Sequence, residues 1–167
     1  GVLVGSAYRG DAKNVSIALP SSVTRLDLLV ENCGRVNYGR ELVDDRKGLL
    51  EPPFDANPTV TCLPLADLSA IEWHSIKPGR SPAAPRFYRG HLQINDVHDT
   101  YLDTRGLSKG FIWVNGHNLG RFWETRGPQH TLYVPAPYLR RGANEVIILD
   151  LDGRAAVLES VARPRWN

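Results

Sequence analysis

Gly106-Leu107-Ser108-Lys109-Gly110-Phe111-Ile112-Trp113-Val114-Asn115-Gly116-His117-Asn118-Leu119-Gly120-Arg121-Phe122-Trp123 is the stretch that decides the fold. Asn115-Gly116 sits between two apolar runs. Such a pair predicts a tight β-hairpin, because both central residues of that turn need positive φ. Gly120 is expected to meet a similar backbone demand. Outward from this hairpin, short apolar runs alternate with Gly, Pro, Asn and Asp. They predict strands at Val15–Leu19, Arg25–Val30, Gly90–Ile94, Thr100–Leu102, Gly110–Val114, Thr131–Val134 and Glu145–Leu151. No stretch keeps a 3.6-residue apolar period for three turns. With 15 Gly and 12 Pro in 167 residues, the pattern predicts an all-β chain, a jelly-roll β-sandwich, with one short helical turn near Pro137–Leu139.

The two halves of the chain repeat each other. Gly5, Ser16-Ile17-Ala18-Leu19-Pro20 and Arg25–Asn32 have counterparts in Gly120, Thr131-Leu132-Tyr133-Val134-Pro135 and Glu145–Asp152, and the Gly-to-Pro spacing is 15 in both copies. A repeat of this period predicts two related units in tandem. The segment Lys77-Pro78-Gly79-Arg80-Ser81-Pro82-Ala83-Ala84-Pro85 is the expected connector, since its prolines forbid a helix or a central strand. The predicted organisation is a first unit at 1–76, a linker at 77–85 and a second unit at 86–167. The second copy has two strand segments around Gly116, whereas the first copy starts at Gly1. The first unit is therefore expected to be N-terminally truncated, an expectation that agrees with a chain holding no methionine.

Composition narrows the function classes. Twenty basic and 18 acidic residues leave a net charge of +2. This balance gives no nucleic-acid footprint. No run of 18 apolar residues is present to span a membrane as a helix, and the compartment stays open. Cys33 and Cys62 make no disulfide framework, and two free, buried thiols are the expected arrangement. The five histidines show no metal-ligand spacing, so neither metal nor cofactor is expected.

Few residues carry chemistry. The motifs of serine hydrolases, zinc proteases and phosphate-binding loops are missing. Asp150-Leu151-Asp152-Gly153 hints at a calcium loop, with a polar turn at a strand end as the simpler reading. Asp27 and Asp150 are expected on the solvent face of their strands. Trp113 and Trp123 are candidate platforms for stacking a sugar ring, and the alternative is that they fill the core. The loop Gly34-Arg35-Val36-Asn37-Tyr38-Gly39 presents Arg35, Asn37 and Tyr38 between two glycines after a predicted strand, a position where loops often carry function.

The run Val114–Trp123, followed by Arg126-Gly127-Pro128-Gln129-His130-Thr131-Leu132-Tyr133-Val134-Pro135 and approached through Phe87-Tyr88-Arg89-Gly90, resembles the last domain of the family 35 glycoside hydrolases, the β-galactosidases. Leu26-Asp27-Leu28-Leu29-Val30-Glu31-Asn32-Cys33-Gly34-Arg35-Val36-Asn37-Tyr38-Gly39, continued by Lys47-Gly48-Leu49, resembles the β-domain that precedes it; Cys33 stands where methionine would be expected. The resemblance implies galactose-binding-like β-domains that accompany a catalytic barrel holding both catalytic glutamates. It thus implies a non-catalytic accessory region whose partner is the barrel of the same parent. Arg35, Asn37 and Tyr38 would face that barrel and help shape the sugar pocket. An independent carbohydrate-binding module for galactosides and a purely structural or oligomerisation domain are the competing readings.

Overall fold

A computed structural model of the chain describes residues 3–8, 16–32, 34, 37–49, 58–75, 85–154 and 157–166. Two compact units are present, Val4–Pro64 and Leu65–Asn167, the latter joined by Gly1–Leu3. Residues 65–75 therefore belong with the second unit. The connector expected at 77–85 lies, but for Pro85, outside the described residues. The chain is all-β: seven strands, and three-residue 3-10 turns as its only helical elements among the described residues. No helix among them is long and apolar enough to cross a membrane.

All seven strands lie in the second unit. β1 (Arg86–Ile94), β6 (Gly142–Asp150), β3 (Lys109–Val114) and β4 (His117–Trp123) form one antiparallel sheet in the order β1-β6-β3-β4. β5 (Thr131–Val134), β2 (Thr100–Asp103) and β7 (Glu159–Val161) form a second, in the order β5-β2-β7. Five of the seven strands match predicted runs, β4 is the return arm of the predicted hairpin, and β7 is new. The expected helical turn is the 3-10 turn Ala136–Tyr138.

The two sheets enclose the core. Leu102, Ile112, Val114, Phe122, Val134, Val146 and Ile148 form one buried cluster between them. Strand alternation puts Trp113, Ile147 and Leu149 on the other face of the four-stranded sheet. There Leu65, Leu68, Trp73, Phe87, Phe111 and Leu151 pack against them. Burying this face is what keeps residues 65–73 with the second unit. The strands β3 and β6 approach so closely that a Cβ on Gly110 would lie 1.7 Å from the Leu149 carbonyl oxygen. Only glycine fits there.

The predicted hairpin turn forms, with Asn115 at φ 48° and Gly116 at φ 83°. It is held from the side. Asn115 donates from Nδ2 to the Tyr138 carbonyl (2.7 Å) and to Asn144 Oδ1 (2.8 Å), and its own Oδ1 accepts from the Glu145 N–H (3.0 Å). Asn144, fully buried, donates to the carbonyls of Arg140 (2.7 Å) and Gly142 (3.0 Å) and accepts from the Arg140 N–H (2.8 Å). A buried amide engaged on every side fixes one backbone geometry, which ties the β3–β4 turn to the entry of β6.

The first unit differs from expectation. The described residues of the predicted strands 15–19 and 25–30 form no ladder, and Leu28, Leu29 and Val30 stand exposed. β-propensity alone does not make a strand; a paired neighbour completes it, and none pairs these residues among the described ones. The 3-10 turn Arg40–Leu42 is the one regular element described there. Cys62 is free and exposed rather than buried, and Cys33 lies outside the described residues.

Candidate functional site

The loop singled out in the first unit is built from local bonds. The Gly34 N–H donates to Asn32 Oδ1 at 3.1 Å, and the Gly34 carbonyl accepts from Lys47 Nζ. Lys47 is held in turn by Asp45 at 3.2 Å. Gly39, at φ 103°, opens the turn Arg40–Leu42. Between these anchors Asn37 is exposed and Tyr38 is 87% exposed. Arg35 lies outside the described residues. Within its own unit the Tyr38 ring has little to pack against.

The two tryptophans stand at opposite ends of the β3–β4 hairpin, Trp113 opposite Asn118 and Trp123 opposite Lys109. Trp113 is 2% exposed, and its ring centroid lies 6.3 Å from those of Phe87 and Phe111. It fills the core beneath residues 65–73 and offers no open face to a ligand. Trp123 is half-buried and carries cations: Lys109 Nζ lies 4.0 Å from its ring centroid, and the Arg126 guanidinium lies 5.5 Å away. Nearby, Arg121 lies 5.4 Å from the ring centroid of Phe111.

The buried carboxylates serve the fold. Asp103 binds Arg105 through paired bonds, the closest at 2.7 Å, and Arg165 at 3.1 Å. Asp150 was expected on a solvent face and is instead fully buried. Its Oδ2 accepts from the Ser108 N–H (2.8 Å), and its Oδ1 from Ser108 Oγ (2.6 Å) and the N–H groups of Asp152 (3.0 Å) and Arg154 (3.2 Å). The physical reason for its burial is this cluster of donors, which replaces water around the charge. The same bonds describe the Asp150–Gly153 segment as a polar turn. Among the described residues no cluster of His, Cys, Asp and Glu could hold a metal ion.

One cleft was not visible in the sequence. It has a volume of about 420 Å³ and lies wholly within the second unit, between residues 66–73 and the outer face of the four-stranded sheet. Arg89 on β1 stands opposite Ile147 on β6, so Glu145 is its diagonal neighbour on the same face, and the two charges meet at 2.6 Å. The Arg89 guanidinium lies 5.5 Å from the ring centroid of Trp73. On the facing wall Asp67 accepts from the Ser69 N–H at 2.9 Å, and that bond holds its carboxyl below the usual carboxylate range. The Ile71 N–H donates to the Leu68 carbonyl at 3.2 Å and closes the wall as a turn. Trp73 in an otherwise polar stretch was the sequence signal for this cleft, but the diagonal pairing needs the register of β1 on β6.

Comparison with known proteins agrees with this architecture. Residues 85–144 match the family described as β-galactosidase, galactose-binding domain, and residues 1–61 match β-galactosidase, first all-beta domain. The chain is 37% identical over 153 residues to human β-galactosidase-1-like protein 2, covering 84% of this chain and 24% of that protein. It is 41% identical over 134 residues to a β-galactosidase of Xanthomonas manihotis, covering 78% and 22%. It is 35% identical over 176 residues to the β-galactosidase of Canis lupus familiaris, covering 91% and 26%. The chain thus spans about a quarter of the length of the curated relatives it matches.

Proposed function

Because this chain belongs to the β-galactosidase family, as its first all-β and galactose-binding domains, we propose that it is the non-catalytic accessory region of a family 35 glycoside hydrolase. In this reading it packs against a catalytic barrel supplied by the parent protein, and that barrel hydrolyses β-galactosides. The carrying observation is the pair of domain matches in a chain that spans about a quarter of its relatives. The chemistry supports it. Retaining glycoside hydrolysis uses two carboxylates ~5–5.5 Å apart that flank the substrate. Asp103 and Asp150, the two buried carboxylates, are each occupied by arginines or by backbone and hydroxyl donors. Tyr38 and Asn37 then supply a wall to the barrel's sugar pocket, with the exposed Tyr38 ring packing on a sugar face.

Incubating the 167-residue chain with a chromogenic β-galactoside tests this directly. No turnover above buffer is expected. Turnover that is abolished by replacing one acidic residue of this chain would overturn the accessory reading. A second reading, a saccharide-binding role of the chain's own, is favoured by the cleft beside Trp73.

A further inference from the structure

We propose that the cleft between residues 66–73 and the four-stranded sheet is a binding site for a neutral saccharide unit. The proposal rests on the second reading above and leaves the accessory role independent of it. The size is suitable, since about 420 Å³ falls within the ~300–1,000 Å³ of pockets that hold small ligands. The chemistry of the lining selects the ligand class. Trp73 supplies an aromatic surface, and Ile71 and Ile147 extend the apolar floor. Arg89 offers donors, Asp67 and Glu145 offer acceptors, and Ser69 offers both.

The charges decide among polar ligands. Arg89 is already paired with Glu145 at 2.6 Å, so its cation is neutralised in place. Asp67 adds an anion, kept ionised by the Ser69 N–H. An anionic ligand meets no unopposed cation here, and a cation finds Glu145 taken. A hydroxylated ring is different: each hydroxyl can donate to a carboxylate and accept from a guanidinium, while the apolar face of the ring lies on an aromatic surface. A polar pair fixed on a rigid sheet, facing a turn pinned by its own hydrogen bonds, is organised before the ligand arrives. Gly116 at the rim leaves the mouth open, since a Cβ there would meet nothing within 4 Å.

Amide and indole NMR of the 167-residue chain, titrated separately with galactose, lactose, glucose and glucuronate, tests the site. The neutral sugars are expected to shift the Trp73 indole N–H and the amides of residues 67–71, 89, 116 and 145, with millimolar affinity. Glucuronate is expected to bind at least about tenfold more weakly, because Asp67 and Glu145 repel it. Trp73→Ala should weaken binding by about tenfold or more. Should that variant fail to fold, Asp67→Ala, on an exposed turn, is expected to lower affinity several-fold while leaving the amide spectrum dispersed. Absence of shifts at these residues at 50 mM sugar would overturn the proposal, as would shifts confined to Trp123 or tighter binding of glucuronate. None of these outcomes bears on the turnover assay, so the two readings fail separately.

Discussion

Replacing Asp150 by Asn changes one atom and no volume. The carboxylate accepts four hydrogen bonds from Ser108, Asp152 and Arg154 in a site without solvent access. Asparagine keeps one acceptor oxygen. Placed at Oδ1, it retains three bonds, but each falls from a charge-assisted to a neutral bond, at a loss of roughly 0.5–1 kcal/mol apiece. The amide nitrogen then points at the Ser108 N–H, donor against donor, and leaves that buried group unpaired for about 1–3 kcal/mol. Relief from burying a charge offsets part of the sum. A net destabilisation of about 2–4 kcal/mol follows, against a typical domain stability of ~5–15 kcal/mol. In a unit of this size it lowers the melting temperature by roughly 8 °C or more. Thermal and urea melts of the chain measure it. Asp67→Asn is the control, since asparagine can still accept from the Ser69 N–H on an exposed turn; it should leave the melt unchanged. A melting temperature for Asp150→Asn within about 2 °C of the parent would show that the four bonds do not hold the β3–β6 junction.

Gly116→Val should destabilise the second unit by about 1–3 kcal/mol, because a β-branched residue must take φ near 83° although the space around it is open; an unchanged melt would remove the turn argument. Asp99 accepts from Tyr133 Oη at 2.6 Å and from the Ala136 N–H at 2.8 Å, which together hold its carboxyl below the usual range, the Tyr133 bond contributing most; the same bond raises the Tyr133 phenol. A depressed carboxylate stabilises the fold above its unfolded pKa and loses that contribution as pH falls through the folded one, whereas a raised phenol loses its contribution as pH climbs through its own folded value. NMR titration should find Asp99 low, and Tyr133→Phe should move it towards the ordinary value; an unmoved Asp99 contradicts the assignment. In the intact parent, Tyr38→Ala should lower kcat/KM by roughly 5–150-fold with the melt preserved, while the isolated chain changes little; full kcat/KM in the parent would make the loop a structural corner.

The second unit was largely legible in the sequence because its strands are marked at both ends. Asn115-Gly116, Pro135 and Gly142 punctuate β3 to β6, and alternation assigns the faces. What was missed depends on distant partners. Asp150 reads as a solvent-facing acid until Ser108, 42 residues away, supplies its donors. β7 is three residues long and is defined by its pairing with β2. In the first unit the same alternation misled, since Leu28 to Val30 have strand composition but no described partner. The tryptophans show the limit of residue type as a guide: Trp113 and Trp123 share a hairpin, yet one is core and the other a seat for cations.

Those cations have a consequence for how the molecule behaves among its own copies. β4 and β1 are the two margins of the four-stranded sheet, and a bare margin invites a strand from another chain to continue the ladder. Arg121 on β4, with Lys109 and Arg126 over Trp123, puts positive charge along one margin, while Arg86 and Arg89 do so along the other. A second copy approaching either margin meets like charge before it can pair, so the side chains that seat against the aromatic rings also guard the sheet against aggregation.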